Sequence, residues 1–139
     1  MANISRKEAK VINLGLSYGM GKDKLISQLG ISPLEAEELF ETYHSRVPFI
    51  RGLRDQCARL GSNRGYIVTL LGRKCRFNLF EPTFERKTPY PYEEAVERYG
   101  EKVKRAFTYK AMNRLIQGSA ADMTKKAMVD LYKEGYLPH

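Results

Sequence analysis

Cysteine is scarce in this chain: Cys57 and Cys75 are the only two, far apart and in no C-x-x-C arrangement. That excludes a disulfide framework and a cysteine zinc site, and it points to a reducing compartment. Long apolar runs are also missing. Nothing approaches the roughly 18 consecutive apolar residues of a membrane span, and Met1 is followed by a polar, charged start without the apolar stretch of a signal peptide. The expectation is a soluble cytoplasmic chain with no membrane partner. Acidic residues are few, 16 against 24 lysines and arginines, which leaves a net charge of +8 and a pI near 9.5. Such an imbalance favours a polyanionic partner, although a solvated lysine surface produces it too. Internal repeats and low-complexity tracts are absent. What is present, 139 residues with 42% hydrophobic content, suffices for one core and so for one domain or a piece of one.

The pattern is mostly helical. An opening helix is expected from about Ile4 to Tyr18, with Ser5 as cap, Glu8 completing a capping box, and Gly19 and Gly21 as the stop. A second fits "KDKLISQLG", ended by Gly30. "SPLEAEELFETYHS" follows, with Ser32 as cap, Pro33 at the first helical position and acids in the first turn. Pro48 interrupts what comes next, so Phe49 to Leu60 reads as a separate or bent helix. The turn formers Gly61, Ser62, Asn63 and Gly65 then introduce a β-hairpin, Tyr66 to Leu71 and Lys74 to Phe77, with a Gly-Arg tip at Gly72. Pro82, Pro89 and Pro91 make residues 78 to 92 an irregular excursion. Helix resumes near Tyr92, and from Lys102 to Glu134 the pattern is helical with a Gly-Ser interruption at 118 and 119, closed by Gly135 and Pro138.

On the opening helix, a repeat of about 100° per residue places Arg6, Lys10, Asn13, Leu14, Ser17 and Tyr18 on one face. Ala9, Ile12 and Leu16 form a narrow apolar stripe on the other, suited to packing against a partner helix. Exposed cations one turn apart repel by a few tenths of a kcal/mol, so the Arg6 and Lys10 pair is a small loss unless an anion sits between them. A polyphosphate would be such an anion; a solvated face with a half-buried Tyr18 is the plainer alternative.

The string Arg-x3-Lys-x2-Asn-x-Gly-x2-Tyr-Gly, residues 6 to 19, resembles the fingers helix of family A DNA polymerases. "LGISPLEAEELFETYHSRVPFI" is similar to the helices that follow it in that family. "GYIVTLLGRKCRF" resembles its Gly-Tyr-Val-x-Thr-x-x-Gly-Arg-Arg hairpin, and "NRLIQGSAADMTKKAM" its Asn-x3-Gln-Gly-x-Ala-Ala-Asp palm helix. The motifs come in the family's order and cover nearly the whole chain, and the wording "NLGLSYGMG" is closer to phage than to bacterial members. The resemblance implies a mainly α fold with a small β-hairpin, built from the fingers and part of the palm. Residues 1–64 would be the fingers helices, 65–101 the hairpin and an irregular insertion, and 102–139 the palm helix segment.

The resemblance also implies roles. Arg6 would contact the outer phosphates of an incoming dNTP. Lys10 would lie on the α to γ phosphates and act as the catalytic acid toward departing pyrophosphate. Fixed cations stabilise charge that develops in a closing, water-poor site, and a lysine can transfer a proton where an arginine cannot. Leu14 stands where most relatives carry Phe or Tyr, keeping an apolar wall for the nucleotide but losing the ring face. Tyr18 would stack at the template position and Gly19 would act as hinge. Asn113 and Gln117, at i and i+4, match the pair that reaches the minor groove at the primer end, where every correct base pair offers acceptors. Arg73 and Lys74 at the hairpin tip would contact the phosphate backbone; an ordinary charged turn is the equal alternative. Tyr109 replaces the family's primer-terminus arginine, and that role is not carried over.

The family's two metal-binding carboxylate segments are not found in the chain, so the Mg2+ of a complete polymerase would take its ligands elsewhere and this chain supplies no metal ligand. Asp122 and Asp130 are poor substitutes. The expectation is a partial DNA-directed DNA polymerase, a nucleotidyltransferase inactive in isolation, with primer–template DNA, dNTP and the remaining palm and thumb, in cis or in trans, as partners. The alternatives are a non-catalytic basic DNA-binding protein derived from polymerase fingers and one subunit of a split polymerase.

Overall fold

The computed structural model describes residues 5–136; Ile4 and Pro138, each expected at a helix end, lie outside the described residues. Four helices come first: α1 (Arg6–Ser17), α2 (Lys22–Leu29), α3 (Pro33–Arg46) and α4 (Pro48–Arg64). Then follow β1 (Tyr66–Val68), β2 (Lys74–Arg76), β3 (Leu79–Pro82), β4 (Tyr90–Pro91), α5 (Tyr92–Tyr99), β5 (Val103–Arg105), a 3-10 turn (Thr108–Lys110) and α6 (Ala111–Lys133). The chain divides within α4 into two compact units, Met1–Gln56 and Cys57–His139.

In the first unit both expected capping boxes are present. The Ser5 hydroxyl accepts from the Glu8 N–H at 3.3 Å while the Glu8 carboxylate takes the Ser5 N–H at 2.8 Å. Ser32 and Glu35 repeat the arrangement at 3.2 and 2.9 Å, with Pro33 at the start of α3. These reciprocal bonds satisfy helix-end donors that would otherwise need water. Gly30 adopts φ +64° and ends α2. The core forms where Ile12 and Leu16 of α1 meet Leu25 of α2 and Ala36 of α3; Leu16 and Leu25 are wholly buried. Ala9, expected to share this stripe, is exposed. At Gly15 the Met20 methyl packs against the helix backbone, and a Cβ there, 2.0 Å from the Met20 Cε, would make that flexible side chain swing aside. An ion pair between Lys22 and Glu37 ties α2 to α3.

His44 is buried in this unit, edge-on to Phe40 and Tyr43, and its Nδ1 has no hydrogen-bond partner. Burial, then the charges of Arg51 and Arg54, hold its pKa below the ordinary imidazole value, against a smaller opposing pull from Glu41. The unfolded chain therefore binds the proton more readily, and stability falls as pH drops from about 6.5 through the lower folded value. The denaturation midpoint of the native chain is expected to fall between pH 7 and 5, and His44→Phe to flatten that fall. Equal pH profiles for the two proteins would refute the assignment.

In the second unit β1 and β2 pair antiparallel, Tyr66 opposite Arg76 and Val68 opposite Lys74, and Gly72 turns the tip at φ +86°. Four expectations for this unit are corrected by the structure. Helix α4 runs through Gly61, Ser62 and Asn63 and ends only at Gly65, φ +76°; Gly61 packs where a Cβ would meet the Phe77 ring at 3.1 Å. Residues 78 to 92 are not merely irregular, because β3 is the middle strand of a sheet ordered β4-β3-β5. Its prolines are compatible with pairing: Pro82 is the last residue of β3 and Pro91 sits in a two-residue edge strand. The stretch from Lys102 is not helical throughout, since β5 pairs with β3, Glu81 opposite Lys104, before α6 begins at Ala111. Helix α6 is continuous across Gly118 and Ser119. Beyond Asp122 it is exposed, with Met123, Met128, Val129, Leu131 and Tyr132 among its surface residues. Among the described residues no helix is long and apolar enough to cross a membrane.

Candidate nucleotide and nucleic-acid interface

In the first unit, burial of Ile12 and Leu16 fixes the rotation of α1 and leaves Arg6, Lys10, Asn13 and Leu14 exposed. The helix holds one acid, Glu8, and its carboxylate is engaged by the Ser5 N–H and hydroxyl, which also keep it below the usual carboxylate range. Among the described residues neither Arg6 nor Lys10 makes an ion pair. Among the described residues these two cations, one turn apart on a capped helix, have no acidic counter-ion, so an anion placed between them would relieve their mutual repulsion. Tyr18 is half-buried at the C-terminal end of α1, its N–H bonded to the Leu14 carbonyl at 3.2 Å. Gly19 follows at φ +88°, with the Arg54 side chain so close that a Cβ would lie 3.0 Å from its guanidinium. A side chain at position 19 would be strained by that φ, and the Arg54 side chain would have to give way to it.

In the second unit the hairpin tip is fastened to the middle of α6. Asp122 is buried, and its carboxylate accepts from the Thr69 hydroxyl and from the Arg73 Nε, the latter at 3.0 Å. These bonds, first from Thr69 and then from Arg73, outweigh desolvation and lower its pKa. Arg73 also donates to the Gly118 carbonyl at 3.1 Å, and the Leu70 N–H donates to the Ser119 hydroxyl at 3.0 Å. A Cβ on Gly118 would stand 2.8 Å from the Thr69 methyl, so glycine is what allows this approach. Lys74, exposed, lies over the Tyr66 ring at 4.8 Å. Asn113 and Gln117 are exposed one turn apart on α6, just before the fastened segment. Arg114 between them donates to the Arg76 carbonyl at 3.3 Å and covers the Phe77 ring.

The sequence brought Arg6, Lys10, Leu14 and Tyr18 to one surface, as the helix does. It placed Arg73 and Lys74 together at the tip, but the partners of Arg73 were not foreseen. Small residues at 118 to 121 signal close packing; nothing local says that Thr69 is what comes close. Among the described residues no three His, Cys, Asp or Glu side chains come together as a metal site. Both oxygens of Asp122 are committed, and Asp130 is paired with Lys126 at 2.6 Å, so neither fits the ligand set of a catalytic Mg2+.

The model of DNA polymerase family A matches residues 1–136. The chain is 33% identical to a DNA-directed DNA polymerase of Pseudomonas phage M6, over 97% of this chain and 22% of that protein. It is 34% identical to the thermostable DNA polymerase I of Thermus aquaticus, over 93% of this chain and 14% of that protein. Among solved structures it is similar to the POL domain of Pol1 from M. smegmatis in complex with DNA primer–template and dNTP. There the TM-score is 0.68 at 27% identity, covering 95% of this chain and 21% of that one. The chain thus spans about a fifth or less of the length of these relatives.

Proposed function

The chain belongs to DNA polymerase family A, and from that premise we propose that it supplies the dNTP-binding surface and part of the primer–template surface of a template-dependent DNA-directed DNA polymerase. The observation that carries this reading is the capped α1 face with Arg6 and Lys10 exposed and, among the described residues, without acidic partners. In it Arg6 clamps the outer phosphates, and Lys10 spans the phosphates and delivers a proton to the leaving pyrophosphate. Leu14 walls the nucleotide, and Tyr18 occupies the template position until Gly19 lets it leave. On α6, Asn113 and Gln117 test the geometry of the terminal pair in the minor groove. Lys74 contacts the backbone phosphates, and Arg73, half-exposed while bonded to Asp122, holds the tip in place and adds its charge. The Mg2+ chemistry of phosphoryl transfer falls to carboxylates outside these residues, together with the remaining palm and thumb.

A primer–template duplex titrated into the full chain at rising salt tests this. Binding without sequence preference is expected, with affinity falling by roughly one unit of log–log slope for each phosphate neutralised. Lys74→Ala should reduce that slope by about one. Salt-independent binding, or none at low ionic strength, would count against the surface.

A further inference from the structure

A cavity of about 420 Å³ opens in the second unit, where β3, β5 and the turn into α6 converge. Its makeup differs from both surfaces already described. Arg105 forms a fixed wall: its Nε donates to the Ser62 carbonyl at 3.2 Å, another guanidinium nitrogen to the Phe77 carbonyl at 2.9 Å, and its plane covers the Phe80 ring at 4.9 Å. Gly65 admits that side chain, since a Cβ there would lie 2.7 Å from the guanidinium carbon. Arg86, from the loop between β3 and β4, lies over the half-exposed Tyr109 ring at 5.1 Å. Lys110 flanks Tyr109 at 5.7 Å and Phe107 at 4.9 Å. Lys104 and Glu81 complete the charged lining, which holds the three cations Arg86, Lys104 and Arg105 against one carboxylate, Lys110 not being part of it.

Phe107 supplies an independent observation. Its φ of +63° is the one positive value at a non-glycine residue among those described. A left-handed conformation is unfavourable for an ordinary residue, and such strain persists where the surroundings enforce it, often at functional sites. Here the kink brings Phe107, Thr108 and Tyr109 into the same lining as Phe80 of β3.

We infer that this cavity binds an unpaired nucleotide of a nucleic-acid strand, its base stacked on Tyr109 and its phosphate held by Arg86 and Lys104. The energetics favour exchange. An exposed cation–π contact is worth less than a base stacked on an aromatic ring. An incoming base displaces the Arg86 guanidinium from the ring face and places it where the phosphate arrives, so the charge is reused. Stacking accepts any base, and binding is therefore tolerant of sequence. The inference deepens the polymerase reading by adding a strand contact outside the nucleotide and minor-groove surfaces, and it can fail separately from it.

Fluorescently labelled dT12 and a blunt duplex, titrated into the full chain at low salt, test it. Tyr109→Ala should weaken dT12 binding by about tenfold or more while changing duplex binding less than about twofold, and Tyr109→Phe should restore it. Arg86→Gln, in a surface loop, should weaken dT12 binding in the same selective way and gives the answer should Tyr109→Ala not fold. Equal losses on both DNAs, no loss on either, or no dT12 binding overturns the inference. So does dTMP binding as tightly as dT12, which would mark a mononucleotide site. Loss of duplex binding alone would strike the polymerase reading and leave this one standing.

Discussion

In a complete polymerase carrying this α1, Lys10→Ala is expected to lower the maximal incorporation rate by on the order of 10² or more, while Arg6→Ala mainly weakens nucleotide binding. Both side chains stand on one exposed face, one turn apart, with no acidic partner among the described residues to redirect either. Charge alone would make them equivalent. They differ in chemistry, because an ammonium can give a proton to the leaving pyrophosphate and a guanidinium holds its own. Lys10→Arg separates the two functions by preserving the charge and removing the transferable proton. Single-turnover incorporation on a primed template yields both the rate and the affinity. If Lys10→Arg retains the full rate, or if both alanine variants change affinity only, Lys10 is a second phosphate clamp and the acid lies elsewhere.

The parts of this fold that were legible in the sequence are those fixed by neighbours in the chain. Ser5 with Glu8 and Ser32 with Glu35 announced two helix starts, Gly30 a helix end, and the alternation around Gly72 a hairpin, because each depends on bonds spanning a few residues. The α1 surface was legible for the same reason, since helical periodicity alone gathers Arg6, Lys10 and Leu14. What stayed hidden depends on distant partners. The three-residue strand β5 has no pattern of its own and exists because β3 pairs with it across more than twenty residues. Its basic residues read equally well as the start of the following helix. The Gly-Ser pair at 118 and 119 is a local breaker, yet α6 passes through unbroken because Thr69, Leu70 and Arg73 contact it from the hairpin. Arg73 was legible as a cation at a tip; its engagement by Asp122, 49 positions away, was not.

That engagement sets the second large effect. Asp122→Ala is expected to release the hairpin tip, accelerating amide exchange across residues 66–76 by on the order of tenfold or more, with little change in the first unit. The Thr69 hydroxyl, 4% exposed, loses its acceptor, and a buried polar group left unmatched costs about 1–3 kcal/mol. Arg73 loses its ion pair at the same time, leaving the Gly118 carbonyl and the Ser119 hydroxyl as the remaining ties. The sign with pH follows from the lowered carboxyl pKa: the stabilisation is complete above about pH 4, the ordinary range of an unfolded aspartate, and is lost as pH falls through the folded value. Asp122→Asn keeps the shape and an acceptor for Thr69 but removes the charge that holds Arg73. It should therefore show an intermediate exchange rate and no acid step. Thr69→Val, which removes the hydroxyl with little change of shape, takes away the bond to Asp122 and the acceptor of the Arg73 N–H, and its effect should be less than additive with that of Asp122→Ala because the two share the Thr69–Asp122 bond. Hydrogen exchange resolved by residue, at pH 7 and again well below pH 4, reads the native protein and all four variants. Additive effects of Thr69→Val and Asp122→Ala, or unchanged hairpin protection in Asp122→Ala, would mean that packing against Gly118 alone holds the tip.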